Sequence, residues 1–350
     1  MFRHLLYRRD GSLRGVFQGN VPSGVPVFVP NGKLLANVLR IDLSAKGLIG
    51  TGSYGNVYMA RMVDVDQQCA VKLPKRLLEL QALIIDPHTG ALISRLQHTK
   101  EEGEIIKDLA DEIDYSVLLT LGRKELGAGI SRPNNRIGPK VWSRASKARK
   151  ALEARPGYWQ IHHIYEFDKE YIPCLVSRRC EGTLFNVRHP FTDSNGRPTA
   201  LWYKVINQVH LGLRYMHWQD VAHNDMKPEN VLFELDKLNE YHFFVSDFGM
   251  CSKASKPISI VSGTPNYFSP ELEQHSGQTL PVANDAFAFG KTCLVLLLLH
   301  ERGQNGAVEG AGAWVKNGGE PPHAAFLCTL CRAPAMQRCQ LFKELDKQLR

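Results

Sequence analysis

The sequence lacks the marks of a secreted or membrane-anchored chain. No apolar stretch follows the opening Met1-Phe2-Arg3-His4, so no secretory signal is expected. The apolar run of residues 293–299 is too short to cross a bilayer and reads as a buried helix. The eight cysteines have no disulfide-framework spacing, which in a chain of 350 residues points to reduced thiols and an intracellular setting, cytoplasm or nucleus. Cys328 and Cys331 make one C-x-x-C with His323 and Cys339 nearby, but the second ligand pair of a zinc site is missing. These thiols read as buried helix cysteines. Internal repeats and low-complexity tracts are absent as well, and a hydrophobic content of 43% is ordinary for a globular protein.

Acidic residues are scarce in one stretch. Residues 123–155 hold ten Lys or Arg against Glu125 and Glu153 alone, which accounts for the whole formal charge of +8. A solvated surface insertion is the plain reading. A docking surface for an acidic partner or nucleic acid is the sharper one.

Residues 1–40 carry Pro and Gly clusters without a sustained period and read as a loose N-terminal extension. Strand-like patterning covers residues 46–73, helical periodicity residues 101–121, and strand-like segments return at 159–167 and 171–177. After Leu201 the pattern is largely helical. A strand-rich first half and a helix-rich second half predict an α+β chain with two lobes and a hinge near residues 177–182.

Several motifs carry chemistry. Gly50-Thr51-Gly52-Ser53-Tyr54-Gly55-Asn56-Val57 is G-x-G-x-x-G-x-V, in which glycines let backbone N–H groups approach phosphate oxygens. The same spacing opens dinucleotide sites, where a helix follows; here β-like residues flank it on both sides, which favours a hairpin flap. Fifteen residues after Val57 stands Lys72, an ammonium able to neutralise phosphate charge. The segment His223-Asn224-Asp225-Met226-Lys227-Pro228-Glu229-Asn230 sets a carboxylate two residues before an ammonium and five before an amide. Asp247-Phe248-Gly249 supplies a further hard oxygen donor suited to magnesium. Residues 263–271, ending Ser269-Pro270-Glu271, follow, and Asp285 and Gly290 form a D-x-x-x-x-G pattern.

In this order, the motifs resemble those of eukaryotic-type protein kinases over roughly residues 46–345. Lys227 and the Gly263-Thr264 pair resemble the serine/threonine branch. The compact helical lobe and divergent hinge are similar to kinases encoded by large DNA viruses. The resemblance implies a two-lobed kinase-like domain over residues 41–345, with a small β-rich lobe to about residue 180 and a larger helical lobe from about 181. It also implies ATP and Mg²⁺ as cofactors, held between the lobes, and a protein substrate phosphorylated on serine or threonine.

By the same carry-over, Asp225 accepts or orients the substrate hydroxyl, Lys227 meets the γ-phosphate, and Asn230 and Asp247 bind metal. Residues 50–55 and Lys72 handle phosphate, Val57 and Ala70 roof the adenine, Leu232 floors it, and backbone of residues 178–180, Cys180 included, meets its edge. Asp285 is expected to anchor the large central helix, and Arg338 to pair with Glu271. The helix glutamate that pairs with Lys72 is less defined: Glu112 matches the pattern better than Glu104. Ser177 takes the gatekeeper place, and Arg178 and Arg179 replace the usual hinge residues. The strand before Ser177 could be residues 137–142 or 161–167. A catalytically silent scaffold, or a small-molecule phosphotransferase of this fold, are the alternatives.

Asn224 departs from the pattern most. The family has an arginine there, which receives an activation-segment phosphate. Asn cannot make that charge-assisted pair. Phosphorylation of Ser252, Ser255, Ser259 or Ser262 is therefore expected to be dispensable.

Overall fold

A computed structural model describes residues 2–7, 13–19, 39–42, 44–52, 55–62, 67–74, 83–85, 92–94, 111–120, 122, 152–168, 174–258, 263–274, 279–318 and 322–348. Ser53, Tyr54, Glu104, Ser259, Ser262, residues 21–26, 137–142 and most of the basic stretch (123–151) lie outside them. The chain forms two compact units: residues 1–148 with 163–179, and residues 149–162 with 180–350.

The first unit is rich in strands. Residues 1–40, read from sequence as a loose arm, contain a hairpin: β1 (Phe2–Tyr7) pairs antiparallel with β2 (Leu13–Gly19). Only the five residues 8–12 separate the two strands in sequence, near enough for local pairing. The main sheet contains β3 (Leu39–Ile41), β4 (Leu48–Thr51), β5 (Gly55–Met62) and β6 (Gln67–Pro74). A second hairpin, β7 (Leu83–Ile85) and β8 (Leu92–Ser94), stands apart from that sheet.

β9 (Ile164–Asp168) and β10 (Cys174–Arg178) complete the main sheet, in the order β3-β5-β6-β10-β9, with β4 also on β5. The strand before Ser177 is thus Ile164–Asp168, the second of the two readings. β6 lies in the middle of the sheet, and its Cys69, Ala70, Val71 and Leu73 are all buried, the mark of a strand covered on both faces. The helix α1, of residues 111–120, buries Ile113, Val117 and Leu119. Its buried Glu112, Ser116 and Thr120 stand four residues apart, one above another on one stripe. The Ser116 and Thr120 hydroxyls donate back to the carbonyls of Glu112 and Ser116, at 2.8 and 2.7 Å, so neither is left unsatisfied.

The second unit is mainly helical. In α2 (Ala200–Trp218) the buried residues Trp202, Val205, Ile206, Val209, Leu213 and Met216 recur at helical spacing. The Trp202 indole donates 2.8 Å to the Cys293 carbonyl, so its polar edge is satisfied in the core. α3 (Pro270–Glu273) is a single turn, and α4 spans Pro281–Asn317 with a break at Gly303. By length and composition α4 could cross a membrane, with a mean hydropathy of 1.6 over 18 residues; yet 89% of that window is buried within the protein. It is a core helix, and residues 293–299 lie inside it.

α5 (Ala325–Arg332) and α6 (Ala335–Gln348) pack around α4. Small strands carry the loops: β11 (Gly182–Thr183), β13 (Val231–Leu235) and β14 (Tyr241–Val245) form one sheet, and β12 (Val221–Ala222) pairs with β15 (Ser252–Lys253). The described cysteines form no disulfide. Cys328 and Cys331 are buried on α5, and burial pushes their thiols up to about 11 and about 12. Among the described residues no cluster of three or more His, Cys, Asp or Glu could hold a metal.

Candidate active site

In the first unit the glycine run forms a hairpin. Thr51 of β4 faces Asn56 of β5, and the Gly52 N–H donates 2.9 Å to the Gly55 carbonyl. A Cβ on Gly55 would meet the Leu73 carbonyl oxygen at 2.8 Å and the Lys72 side chain at 3.1 Å. Glycine is required there because the Leu73 carbonyl and the Lys72 side chain of the neighbouring strand already fill the space a Cβ would need. Cross-strand register sets Val57 opposite Lys72, Lys72 opposite Leu175, and Ala70 opposite Ser177. Since side chains alternate along a strand, Val57, Ala70, Lys72 and Ser177 share one face. Lys72 Nζ meets Glu112 Oε1 at 2.8 Å, with the two side chains only 12% and 3% exposed. The geometry selects Glu112 as the helix glutamate. Arg179 hydrogen-bonds Gln68 within the same unit.

In the second unit the eight-residue loop is held by interlocking polar contacts. The Asp225 N–H donates 3.2 Å to His223 Nδ1, so that nitrogen is an acceptor; Nε2 then carries the proton and donates 2.9 Å to the Ser246 carbonyl. Lys227 Nζ reaches Asp225 Oδ2 at 2.9 Å and Thr264 Oγ1 at 2.7 Å. The Thr264 hydroxyl donates in turn to Asp225 Oδ1 at 2.7 Å. One hydroxyl thus accepts from the ammonium and donates to the carboxylate, and both carboxylate oxygens are aimed. Thr264 was read from sequence only as a mark of the serine/threonine branch; its contact depends on a partner 39 residues away.

Asn230 Nδ2 donates to the Asp225 carbonyl at 2.7 Å and to Asp225 Oδ2 at 3.1 Å. Its Oδ1 is thereby turned away from the loop. The β13–β14 pairing sets Val231 opposite Val245, so Asn230 and the Ser246-Asp247 step stand at the same end of that hairpin. Ser246 fastens the step by donating its N–H and hydroxyl to the Asn230 carbonyl, both at 3.0 Å. Asp247 itself adopts φ 61, a left-handed conformation sustained by this surrounding pairing. Leu232 lies on β13 between Thr183 and Phe244, and Cys180, half-buried, leads into β11.

Asp285 has another task than the one expected. The N-cap of α4 is Leu280, and Asp285 is fully buried within the helix. Its carboxylate accepts the N–H of His223 at 2.8 Å and of Asn224 at 2.7 Å, and meets His217 Nε2 at 2.8 Å. It anchors the loop rather than the helix end, because α4 carries the carboxylate beneath two backbone donors that would otherwise be buried unmet. Arg338, 1% exposed, makes a two-pronged pair with Glu271 at 3.1 and 3.2 Å. Burial pushes the Glu271 carboxyl up most, but the hydrogen bonds and charge of Arg338, together with backbone and Ser269 hydrogen bonds, outweigh it and hold the group below its ordinary value. Burial, then the charges of Glu229 and Asp225, keep the Tyr267 phenol neutral beside the loop.

Comparison with known proteins agrees. Residues 159–309, which include Asp225, Asn230, Asp247 and Glu271, match the protein kinase domain family. Over these residues the fold is that of a protein kinase domain. The chain is 33% identical over 142 residues to serine/threonine-protein kinase SBK1 of Danio rerio, covering 40% of this chain and 34% of that protein. It is 31% identical over 149 residues to serine/threonine-protein kinase DCLK3 of Homo sapiens, covering 41% and 21%. With serine/threonine-protein kinase PLK4 of Drosophila grimshawi the identity is 27% over 168 residues, covering 44% and 20%. The chain therefore spans about a third or less of the curated relatives it matches. These relatives support a protein kinase, built on the fold just described.

Proposed function

We propose that the chain is an active protein kinase that transfers the γ-phosphate of ATP to serine or threonine hydroxyls of protein substrates. The observation that carries this reading is the Asp225 carboxylate, aimed on one oxygen by Thr264 and on the other by Lys227 and Asn230. A carboxylate so held can accept the proton of an alcohol or align it for attack. Lys227, beside it, is placed to meet negative charge on the group in transfer.

The residues present fit both cofactors. The ammonium of Lys72, kept in place by Glu112 next to the glycine hairpin, would supply charge to balance phosphate oxygens. Val57 and Ala70, on the same face of the first unit's sheet as Lys72, would contact the adenine. Asn230 Oδ1 and the Asp247 carboxylate would hold magnesium, an ion that takes one or two protein oxygens together with phosphate oxygens and so needs no three-carboxylate cage. When bound, that ion neutralises the phosphate charge. The partner of residues 123–155 is proposed to be an acidic protein surface or nucleic acid, and the lack of disulfide-framework spacing among the cysteines supports an intracellular setting.

The test is phosphate transfer by the purified full chain, with Mg-ATP, onto a serine/threonine peptide array. Labelled peptides, lost in Asp225→Asn, are expected. ATP binding without any transfer would overturn the reading in favour of a scaffold, and labelling of small-molecule alcohols alone would favour the small-molecule enzyme.

A further inference from the structure

Asn224 does more than leave a phosphate receptor missing. It adopts φ 65, a left-handed conformation that asparagine tolerates better than most side chains. Its N–H is fixed by Asp285 at 2.7 Å. From there its carboxamide Nδ2 donates to the Met250 carbonyl and to Ser252 Oγ, both at 2.9 Å. A carbonyl can only accept, so the atom facing Met250 has to be the nitrogen, and the amide orientation follows from chemistry. Neighbouring contacts join the same two segments. Val221 pairs with Lys253 and Ala222 with Ser252. The Ala254 N–H donates 3.1 Å to the Asp220 carbonyl, and the Ser255 N–H donates 2.7 Å to Asp220 Oδ1. Residues 220–224 and 250–255 are thus fastened without phosphate.

We infer that Asn224 is a positioning residue whose amide ties the segment following Asp247 to the loop carrying Asp225, and so takes over the ordering that a phosphate–arginine pair would provide. The inference rests on the kinase reading above. It has a consequence of definite sign. Phosphate on Ser252 would put a bulky dianion where a half-buried hydroxyl sits against the Asn224 amide and β12, and like charge would repel it from the Asp285 carboxylate that holds the Asn224 N–H. A negative charge at Ser252 therefore loosens this segment and lowers activity.

The experiment compares the full-length chain with Asn224→Gly, Ser252→Ala, Ser252→Asp, the Asn224→Gly/Ser252→Ala double variant and the Ser255→Ala/Ser259→Ala/Ser262→Ala triple variant. Two readouts are taken: kcat and KM on a peptide substrate, and amide hydrogen exchange of residues 250–255. Glycine keeps the left-handed backbone and removes only the amide, so the fold is retained. With two hydrogen bonds lost, Asn224→Gly is expected to lower kcat roughly ten-fold, to leave KM for ATP within about two-fold, and to speed exchange in residues 250–255. Ser252→Asp should act in the same direction. Adding Ser252→Ala to Asn224→Gly should cost little more, and the triple variant should match the parent. Unchanged exchange in Asn224→Gly, or a Ser252→Asp variant more active than the parent, would overturn the inference. If the parent chain transfers no phosphate, the kinase reading falls while the exchange data still decide the tether.

Discussion

Lys72 and Asp225 are both charged groups held by named partners, but they are secured in different ways. Lys72 sits on a central strand and meets Glu112, 40 residues on, across from a helix. Asp225 sits in a loop where Lys227, Asn230 and Thr264 interlock on its two oxygens, and where Asp285 pins the backbone just before it. The first arrangement depends on where α1 packs. The second is braced from several sides, so a single lost contact should disturb it less than loss of the carboxylate itself. The strand–helix pair can be broken by one neutral substitution, whereas the loop should degrade in steps.

The largest effect expected is from Asp225→Asn, which keeps the shape and removes the base. Transfer should fall by about 10³-fold, within the range for a general base, with ATP binding intact; rapid-quench turnover and calorimetry check both. Arg338→Met tests the scaffold of the loop-bearing unit instead, because it leaves Glu271 facing a site built for a cation. A loss of about 3–5 kcal/mol in urea unfolding of that unit is expected, as for other broken buried pairs.

Glu112→Gln probes the strand–helix side. It should lower kcat/KM by about ten- to a hundred-fold, corresponding to 1.4 kcal/mol for each factor of ten, while Asp225 and its contacts stay in place. Thr264→Ala should have a smaller effect, about ten-fold in kcat for a lost charge-assisted hydrogen bond, with partial recovery in Thr264→Ser. An equal loss in Thr264→Ala and Asp225→Asn would break the contrast, since the loop would then be no better braced than the pair.

The smallest effect is a pH dependence. Because Glu271 lies below its ordinary value when folded, its contribution is present above the ordinary carboxylate range and is lost as pH falls through the lowered value. Thermal unfolding from pH 7 to 3 should show this acid limb in the parent and a shallower one in Arg338→Met.

Different parts of this site were legible to different degrees. The spacing of Asp225, Lys227 and Asn230 could be read directly, because groups two and five residues apart in a short loop travel with the same backbone. The glycine hairpin was legible from the β-like residues on both sides of it. Glu112 could only be preferred over Glu104, since helical periodicity tells which residues share a stripe but not which stripe faces β6. The hairpin at β1–β2 and the strand at Ile164–Asp168 were misjudged or left open, for their pairing partners settle what weak local patterns do not.

The sequence by itself determined the motif order, the residue types at each chemical position and the alternation of strand-rich and helix-rich halves. Each of these rests on local spacing or on side-chain chemistry. Tertiary structure decided the rest: that Lys72 meets Glu112, that Thr264 reaches Asp225, that Asp285 serves the loop rather than its own helix, and that Asn224 grips Met250 and Ser252. Those partners lie 26 to 62 residues apart, and only packing of the strands and helices that carry them brings such groups within hydrogen-bonding distance.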